Sequence, residues 1–191
     1  MTPDEPHPFG DAGSDAHRRD TEPPLDELDR IASAFLVFTA DSASDASSAS
    51  LAGLLKDVRE LLQMDIAFVT EFVAGRTVIR ELDCAKRDAD TAYVGLSVPL
   101  EVSYCQRIVD GRLPPAIPDT SALAESRSLD ATDLLDIRAY LSTPVLLKNG
   151  EVYGTLCCIS HRTRSALGIR QVDALRKVAA LVAAEIERSR V

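Results

Sequence analysis

Tyr140-Leu141-Ser142-Thr143-Pro144-Val145-Leu146-Leu147 and Glu151-Val152-Tyr153-Gly154-Thr155-Leu156-Cys157-Cys158-Ile159-Ser160 flank the tripeptide Lys148-Asn149-Gly150. Both runs carry the β-branched and aromatic residues that strands favour, and Asn-Gly is the preferred dipeptide of a type I′ hairpin turn. The expectation is an antiparallel hairpin turning at Asn149-Gly150. Upstream, Ile66-Ala67-Phe68-Val69-Thr70-Glu71-Phe72-Val73 and Thr77-Val78-Ile79-Arg80-Glu81-Leu82 are joined by Ala74-Gly75-Arg76. A short loop containing glycine predicts a second hairpin. Between the two, Ser103-Tyr104-Cys105-Gln106-Arg107-Ile108-Val109 predicts a short helix stopped by Gly111. Leu113-Pro114-Pro115-Ala116-Ile117-Pro118-Asp119 suits a short edge strand, where proline is tolerated.

Helices bracket this strand-rich region. Leu51, Leu54, Leu55, Val58, Leu61 and Leu62 form one apolar face at helical spacing. From about Gly168 to Arg190, Ile169, Val172, Leu175, Val178, Ala179, Val182 and Ile186 make a continuous stripe with Arg and Glu opposite. Leu25, Leu28, Ile31, Phe35 and Phe38 predict a further helix, followed by a Ser/Asp-rich linker, over residues 25–50. Residues 1–24 hold Pro, Asp and His and almost no large aliphatics, too little apolar surface to offset the entropy of ordering. They read as a disordered tail. Residues 51–190 then form one α+β domain, a central antiparallel sheet flanked by N- and C-terminal helices.

The bulk properties bound the function. Hydrophobic residues make up 46% and charged residues 27% of the 191, ordinary for a soluble globular chain. A formal net charge of -9 opposes nucleic acid and anionic membrane surfaces, both of which are bound through Lys and Arg. No run is long and apolar enough to span a bilayer, and Met1-Thr2-Pro3-Asp4-Glu5 opens no secretory signal. The expected address is the cytoplasm. There Cys84, Cys105, Cys157 and Cys158 should stay thiols. Of the three His, two fall in the tail, so no metal site is expected.

The block Ser103-Tyr104-Cys105-Gln106-Arg107-Ile108-Val109-Asp110-Gly111-Arg112-Leu113-Pro114, then Ile117-Pro118-Asp119, resembles one common in bacterial GAF domains. Ala139-Tyr140-Leu141-Ser142-Thr143-Pro144-Val145 and Asn149-Gly150-Glu151-Val152-Tyr153-Gly154-Thr155-Leu156-Cys157-Cys158 are similar to two successive strands of that family. The resemblance runs from about Leu51 to Glu187. It implies a GAF-like, PAS-related fold with helices on one face of the sheet forming a dimer or interdomain surface, and a ligand pocket on the other. GAF domains commonly regulate an attached output module. Here Val191 directly follows the last helix, so the expectation is regulation through a separate signalling protein or a homodimer formed by the terminal helices, the alternative being that the domain is a remnant or fragment of a multidomain protein.

The resemblance also frames the chemistry. Bilin-binding members hold their chromophore through a Cys-His pair just before the Tyr-Leu strand; Asp136 and Ile137 stand there, so no thioether can form. No run matches the Asn-Lys…Phe…Asp-Glu signature of cyclic-nucleotide-binding members. Free methionine sulfoxide reductases of this family use an accessible low-pKa thiolate and a resolving partner. Cys84 and Cys105 lie where such thiols could sit, although their surroundings do not resemble that family's motifs. Cys157 and Cys158 are strand neighbours and should face opposite sides of the sheet. His161 reads as an exposed loop residue, and the ordered region offers no second His for a Ser-His-Asp set. Asp119, Asp133 and Asp136 are too dispersed to argue a carboxylate pair, and no glycine-rich phosphate loop is present.

The expectation is therefore a sensory or regulatory module without catalytic residues. It would bind a small ligand or sense redox state; a thiol-dependent reductase and a purely structural domain with a filled interior are the alternatives. Positions carried over from family members whose ligands touch these segments are Tyr93, Tyr104, Asp119 and Tyr140, with Cys105 and Cys157 as thiols near the same face. A tyrosine offers a broad apolar face and one hydrogen-bonding end, which suits a mostly apolar pocket. The sequence names no cofactor.

Overall fold

The structure, a computed structural model, describes residue 30, residues 51–85 and residues 93–190. The tail over 1–24 and nearly all of the helix and linker over 25–50 lie outside the described residues. The described chain runs α1 (Leu51–Leu61), β1 (Ile66–Val73), β2 (Arg76–Cys84), β3 (Ser97–Pro99), α2 (Tyr104–Val109), β4 (Ala116–Ile117), α3 (Ala124–Arg127), α4 (Asp130–Leu134), β5 (Ala139–Leu146), β6 (Val152–Ser160) and α5 (Ile169–Ser189). The strands form one six-stranded antiparallel sheet in the order β3-β2-β1-β6-β5-β4. The fold class is α+β, as the two hairpins and bracketing helices imply. No described helix is long and apolar enough to cross a membrane.

The period-2 alternation of the strands sorts side chains to two faces. Ala67, Val69, Leu141, Val145, Leu156 and Cys158 face α1 and α5 and build one core with Leu54, Leu55, Val58, Leu175, Val178 and Val182. Phe68, Tyr140, Cys157 and Ile159 face the other way, into a second cluster with Tyr104, Cys105, Ile108, Leu129 and Ile137. Cys157 and Cys158 thus lie on opposite sides, as strand geometry requires. The stripe on α5 is almost wholly buried against the sheet, Ile169 at its start being the exposed exception.

The turns differ from the expectation. At Lys148-Asn149-Gly150 only Gly150 has a positive φ, +83°, and its N–H donates to Leu147 O at 2.8 Å. Lys148 and Asn149 form the centre of a type I turn with Gly150 as the left-handed bulge residue, a three-residue loop. The type I′ pattern belongs to the first hairpin instead. There Ala74 (φ +49°) and Gly75 (φ +73°) are the two turn residues, and Arg76 already pairs with Val73.

The inner strands touch unusually closely at Gly154. A Cβ built there would stand 2.0 Å from Thr70 O and 2.6 Å from Thr70 C, both main-chain atoms of β1. Paired residues of β1 and β6 run from Ile66↔Ile159 to Val69↔Leu156 and give way to a side chain at Thr70. Thr70 Oγ1 accepts from Thr155 N at 3.1 Å and lies 2.9 Å from Thr155 Oγ1. Alternation from Phe68 puts this hydroxyl on the second face of the sheet, and the bulge opposite it inserts Arg80 in β2.

Candidate functional site

The second face is roofed by the segments between the hairpins. Ser103 caps α2, its Oγ accepting from Gln106 N at 3.1 Å, and Gly111 (φ +73°) turns the chain after it. Arg107 forms an ion pair with Glu125 and so ties α2 to α3. Beneath, the Tyr104 and Tyr140 rings stack with centroids 4.6 Å apart and planes 22° from parallel. Tyr104 donates its O–H to Thr132 Oγ1 at 2.5 Å, and Thr132 in turn donates to Ser126 O at 2.5 Å. Both phenols are buried. Loss of water pushes both ionisations above the usual range, Tyr140 the further, so both stay neutral hydrogen-bonding groups.

Between roof and sheet lies a cavity of about 330 Å³. Its floor is Phe68, Thr70, Tyr140 and Ile159; Cys105 and Ala131 come from the roof. Leu96, Val98, Val102 and Leu134 stand at its open side and are all exposed, a grouping of apolar side chains at one mouth. An adjoining cavity of about 370 Å³ shares Phe68, Ile79, Leu96, Leu134, Leu135 and Ile159 with it and ends at Asp65, Asp136 and His161. Among the described residues lining either space there is no Lys or Arg. Thr77, only 6% exposed, also lines the inner cavity, and its Oγ1 has no hydrogen-bond partner. A buried hydroxyl is normally satisfied, so an orphan beside a cavity is a vacant hydrogen-bonding position.

Two thiols sit at the inner end. Cys105 Sγ is 3.8 Å from Cys157 Sγ, 3.6 Å from Tyr140 Oη and 4.0 Å from Thr70 Oγ1. Cys157 Sγ is 3.3 Å from Ser142 Oγ and 3.0 Å from Thr155 Oγ1. The hydrogen bond from Cys157 outweighs burial and, helped by neighbouring hydroxyls, holds the Cys105 thiol below its ordinary range. Burial pushes Cys157 well above it. Cys158, alone on the helix side, is pushed by burial to about 12. All four cysteines are thiols.

The expected site residues are thus partly gathered. Tyr104, Cys105 and Tyr140 line the inner cavity, with Cys157 directly behind Cys105. Tyr93 lines the adjoining cavity, as does Cys84. The partner of Cys105 is therefore Cys157, on β6, rather than Cys84. Asp119 lines neither cavity. Its Oδ1 accepts from Ser121 N at 2.9 Å and Ser121 Oγ at 2.7 Å, capping a 3-10 turn, and these bonds hold its carboxyl below the usual range. His161 is exposed, its N–H bound to Asp65 Oδ2 at 2.8 Å. Thr70, Thr77 and Thr155 were not singled out by sequence, because a threonine in a strand reads as an ordinary strand former.

The family model described as GAF domain matches residues 48–186. The chain belongs to the GAF domain family. Among solved structures it is similar to the GAF domain of an Acinetobacter phosphoenolpyruvate-protein phosphotransferase, at 15% identity and TM-score 0.65, covering 87% of this chain and 93% of that one. It is similar too to a phycocyanobilin-bound GAF domain from a cyanobacterial phytochrome, at 13% identity and TM-score 0.67 over 85% and 94%. A third is free methionine-R-sulfoxide reductase from Neisseria meningitidis in complex with its substrate, at 14% identity and TM-score 0.65 over 87% and 92%. At these identities the likeness shows the fold. No curated protein matches the chain by sequence.

Proposed function

We propose that the chain is a sensory module that takes a small, mostly apolar, uncharged ligand into the cavity beneath α2 and α4. The observation that carries this reading is the orphan Thr77 hydroxyl in a mostly apolar space whose described lining holds one carboxylate, Asp130, and no Lys or Arg. Such a space desolvates an anion without compensation, whereas a neutral molecule with one hydrogen-bonding group satisfies Thr77 and loses apolar surface to water. The volume falls at the small end of ordinary ligand pockets. This reading assigns no catalytic residue and keeps the module in the cytoplasm. Native mass spectrometry of protein purified from its own host is the test: a bound neutral mass is expected in the wild type and its loss in Ala131→Trp, which fills the roof. Nile red should likewise bind the wild type and bind Ala131→Trp at least about tenfold more weakly, since a buried aromatic body is worth 1.5–3 kcal/mol. An empty host-purified protein that also ignores the dye would remove the reading.

The thiol pair favours a second reading, reduction of free methionine sulfoxide, the substrate class named for the Neisseria structure. That substrate is a zwitterion, and its carboxylate calls for the kind of cationic partner absent from the described lining. No turnover of free methionine sulfoxide with dithiothreitol is expected; steady turnover would replace the first reading with this one.

Output is proposed to pass through the terminal helices, in a homodimer or against a separate signalling protein. Strand β6 supports this route: Cys157 lies beside the cavity thiol while Leu156 and Cys158 pack in the core that holds α5. Because the apolar stripe of α5 is covered within the chain, contacts would use the outer helix faces and the exposed Ile169. Sedimentation of a dimer at micromolar concentration is expected, and a monomer there would exclude the homodimer.

A further inference from the structure

We propose that Cys105 and Cys157 form a dithiol–disulfide site that is oxidised by apolar organic hydroperoxides entering through the cavity. This rests on the cavity reading and names a second class of molecule that the cavity admits. The two sulfurs are 3.8 Å apart on different elements, α2 and β6, fifty-two positions apart in sequence. The sulfurs must close from 3.8 Å to the 2.05 Å of a bond, a movement that side-chain rotation and a shift of the six-residue helix α2 would supply. Cys105 lines the cavity and Cys157 lies behind it, so geometry separates the roles: Cys105 meets the oxidant and Cys157 resolves.

The surroundings suit that order. Four hydroxyls, from Thr70, Tyr140, Ser142 and Thr155, reach one sulfur or the other in an otherwise apolar cluster. The thiol of Cys157 donates to a thiolate at Cys105, and the hydroxyls of Thr155, Tyr140 and Thr70 can donate as well, which is what holds Cys105 on the acidic side of an ordinary cysteine. A thiol sealed in plain hydrocarbon has no such help; Cys158 is the contrast within this chain.

The Cys105 sulfur attacks the terminal oxygen of ROOH; the O–O bond breaks, and RO⁻ takes the thiol proton and leaves as the alcohol. Cys105 is now a sulfenic acid. The Cys157 sulfur then attacks the Cys105 sulfur; the S–O bond breaks, hydroxide leaves as water with the Cys157 proton, and the S–S bond forms. Two thiols and one hydroperoxide give one disulfide, one alcohol and one water. An external dithiol restores both thiols by exchange and becomes a disulfide itself. Oxidation draws α2 toward β6, carrying Tyr104, the buried Ser103 and the rim residue Val102 with it, so the redox state resets the shape of the ligand space.

Substrate class follows from the cavity as the approach to Cys105 among the described residues. A mostly apolar route whose described charged lining residue is the carboxylate Asp130 favours an aryl or alkyl hydroperoxide over hydrogen peroxide, whose small body gains nothing from the walls, and over glutathione disulfide, which is large and anionic. The test treats the purified full chain with cumene hydroperoxide, hydrogen peroxide or glutathione disulfide, followed by thiol counting, intact mass and peptide mapping. Cumene hydroperoxide is expected to remove two thiols, through a Cys105–Cys157 disulfide, at least about tenfold faster than hydrogen peroxide, the benefit of burying one aromatic ring. Dithiothreitol should reverse it. Cys157→Ser should stop at a sulfenic acid that dimedone traps, and Cys105→Ala, checked for folding by circular dichroism, should not react at this site. Intact thiols, a disulfide through Cys84 or Cys158, or equal rates with all three oxidants would overturn the proposal. Nile red binding on the same samples separates the two readings. Dye bound with thiols unreacted sinks the dithiol site and leaves the cavity standing, whereas loss of dye and host ligand together sinks the cavity itself.

Discussion

Gly154→Val is expected to leave the domain largely unfolded at 37 °C, and Gly154→Ala to lower its melting temperature by about 10 °C. The obstruction is main chain: the first atom of any side chain at this position falls 2.0 Å from Thr70 O. Overpacking a core usually costs 1–3 kcal/mol because side chains rotate away, and a carbonyl held in a sheet cannot. A cost of about 3 kcal/mol or more for alanine follows, and each kilocalorie moves the melting point of a domain this size by about 3–4 °C. Relief would require β6 to part from β1. That breaks the hydrogen bond from Thr155 N to Thr70 Oγ1 and displaces Cys157 two residues on, so cavity binding should fall with stability. Gly53→Ala is the internal control. It sits in α1 with nothing within 4 Å of an added Cβ, and an alanine in a helix interior should raise stability by up to about 1 kcal/mol. Thermal melts of the three variants decide the matter; a Gly154→Ala protein as stable as wild type would show that the strands are not in contact there.

This crowding explains part of what the sequence could and could not convey. The hairpins and the long helices are periodic, and periodicity is a local property that survives in one dimension, whereas the two-residue edge strand Ala116-Ile117 is marked by its flanking prolines. The turn type was less legible: Asn149-Gly150 suits a type I′ turn, but Lys148 with a negative φ before it and Gly150 as bulge satisfy the same strands. Strand β3 is three residues long and ends in Pro99, too short to carry a pattern. The roof helices α3 and α4, of four and five residues, fall below the length at which an apolar stripe can be recognised. For the site, the tyrosines Tyr104 and Tyr140 were found through family likeness, whereas the approach of Cys105 to Cys157 is a tertiary fact that no spacing encodes. Asp119 shows the reverse: its motif is recognisable, yet its carboxylate caps its own turn.

Tyr140→Ala is the other substitution with a large expected effect, because Tyr140 is 2% exposed and holds three features together. Its ring stacks on Tyr104, its body floors the cavity, and its hydroxyl stands 3.6 Å from Cys105 Sγ. Truncating a buried aromatic to alanine costs about 3–5 kcal/mol, so the melting temperature should drop by roughly 10–15 °C. The space vacated joins the cavity, and a bulky charged reagent such as 5,5′-dithiobis(2-nitrobenzoate) should then reach Cys105 faster than in the wild type. Tyr140→Phe isolates the hydroxyl. It keeps ring and stack, should cost about 0.5–1.5 kcal/mol, and removes one donor from the Cys105 sulfur, slowing its reaction with cumene hydroperoxide near neutral pH. The pH dependence supplies a separate sign. The folded phenol ionises well above 10 while the unfolded one ionises near 10, so its contribution to stability is complete below pH 10 and declines as pH rises beyond it. Denaturant midpoints measured from pH 8 to pH 11 should therefore fall less steeply in Tyr140→Phe than in the wild type, with Tyr104 and Tyr153, also raised by burial, supplying the remaining slope. Identical slopes would mean that Tyr140 meets water in the folded protein, and a tyrosine so hydrated could not form the floor of an apolar cavity.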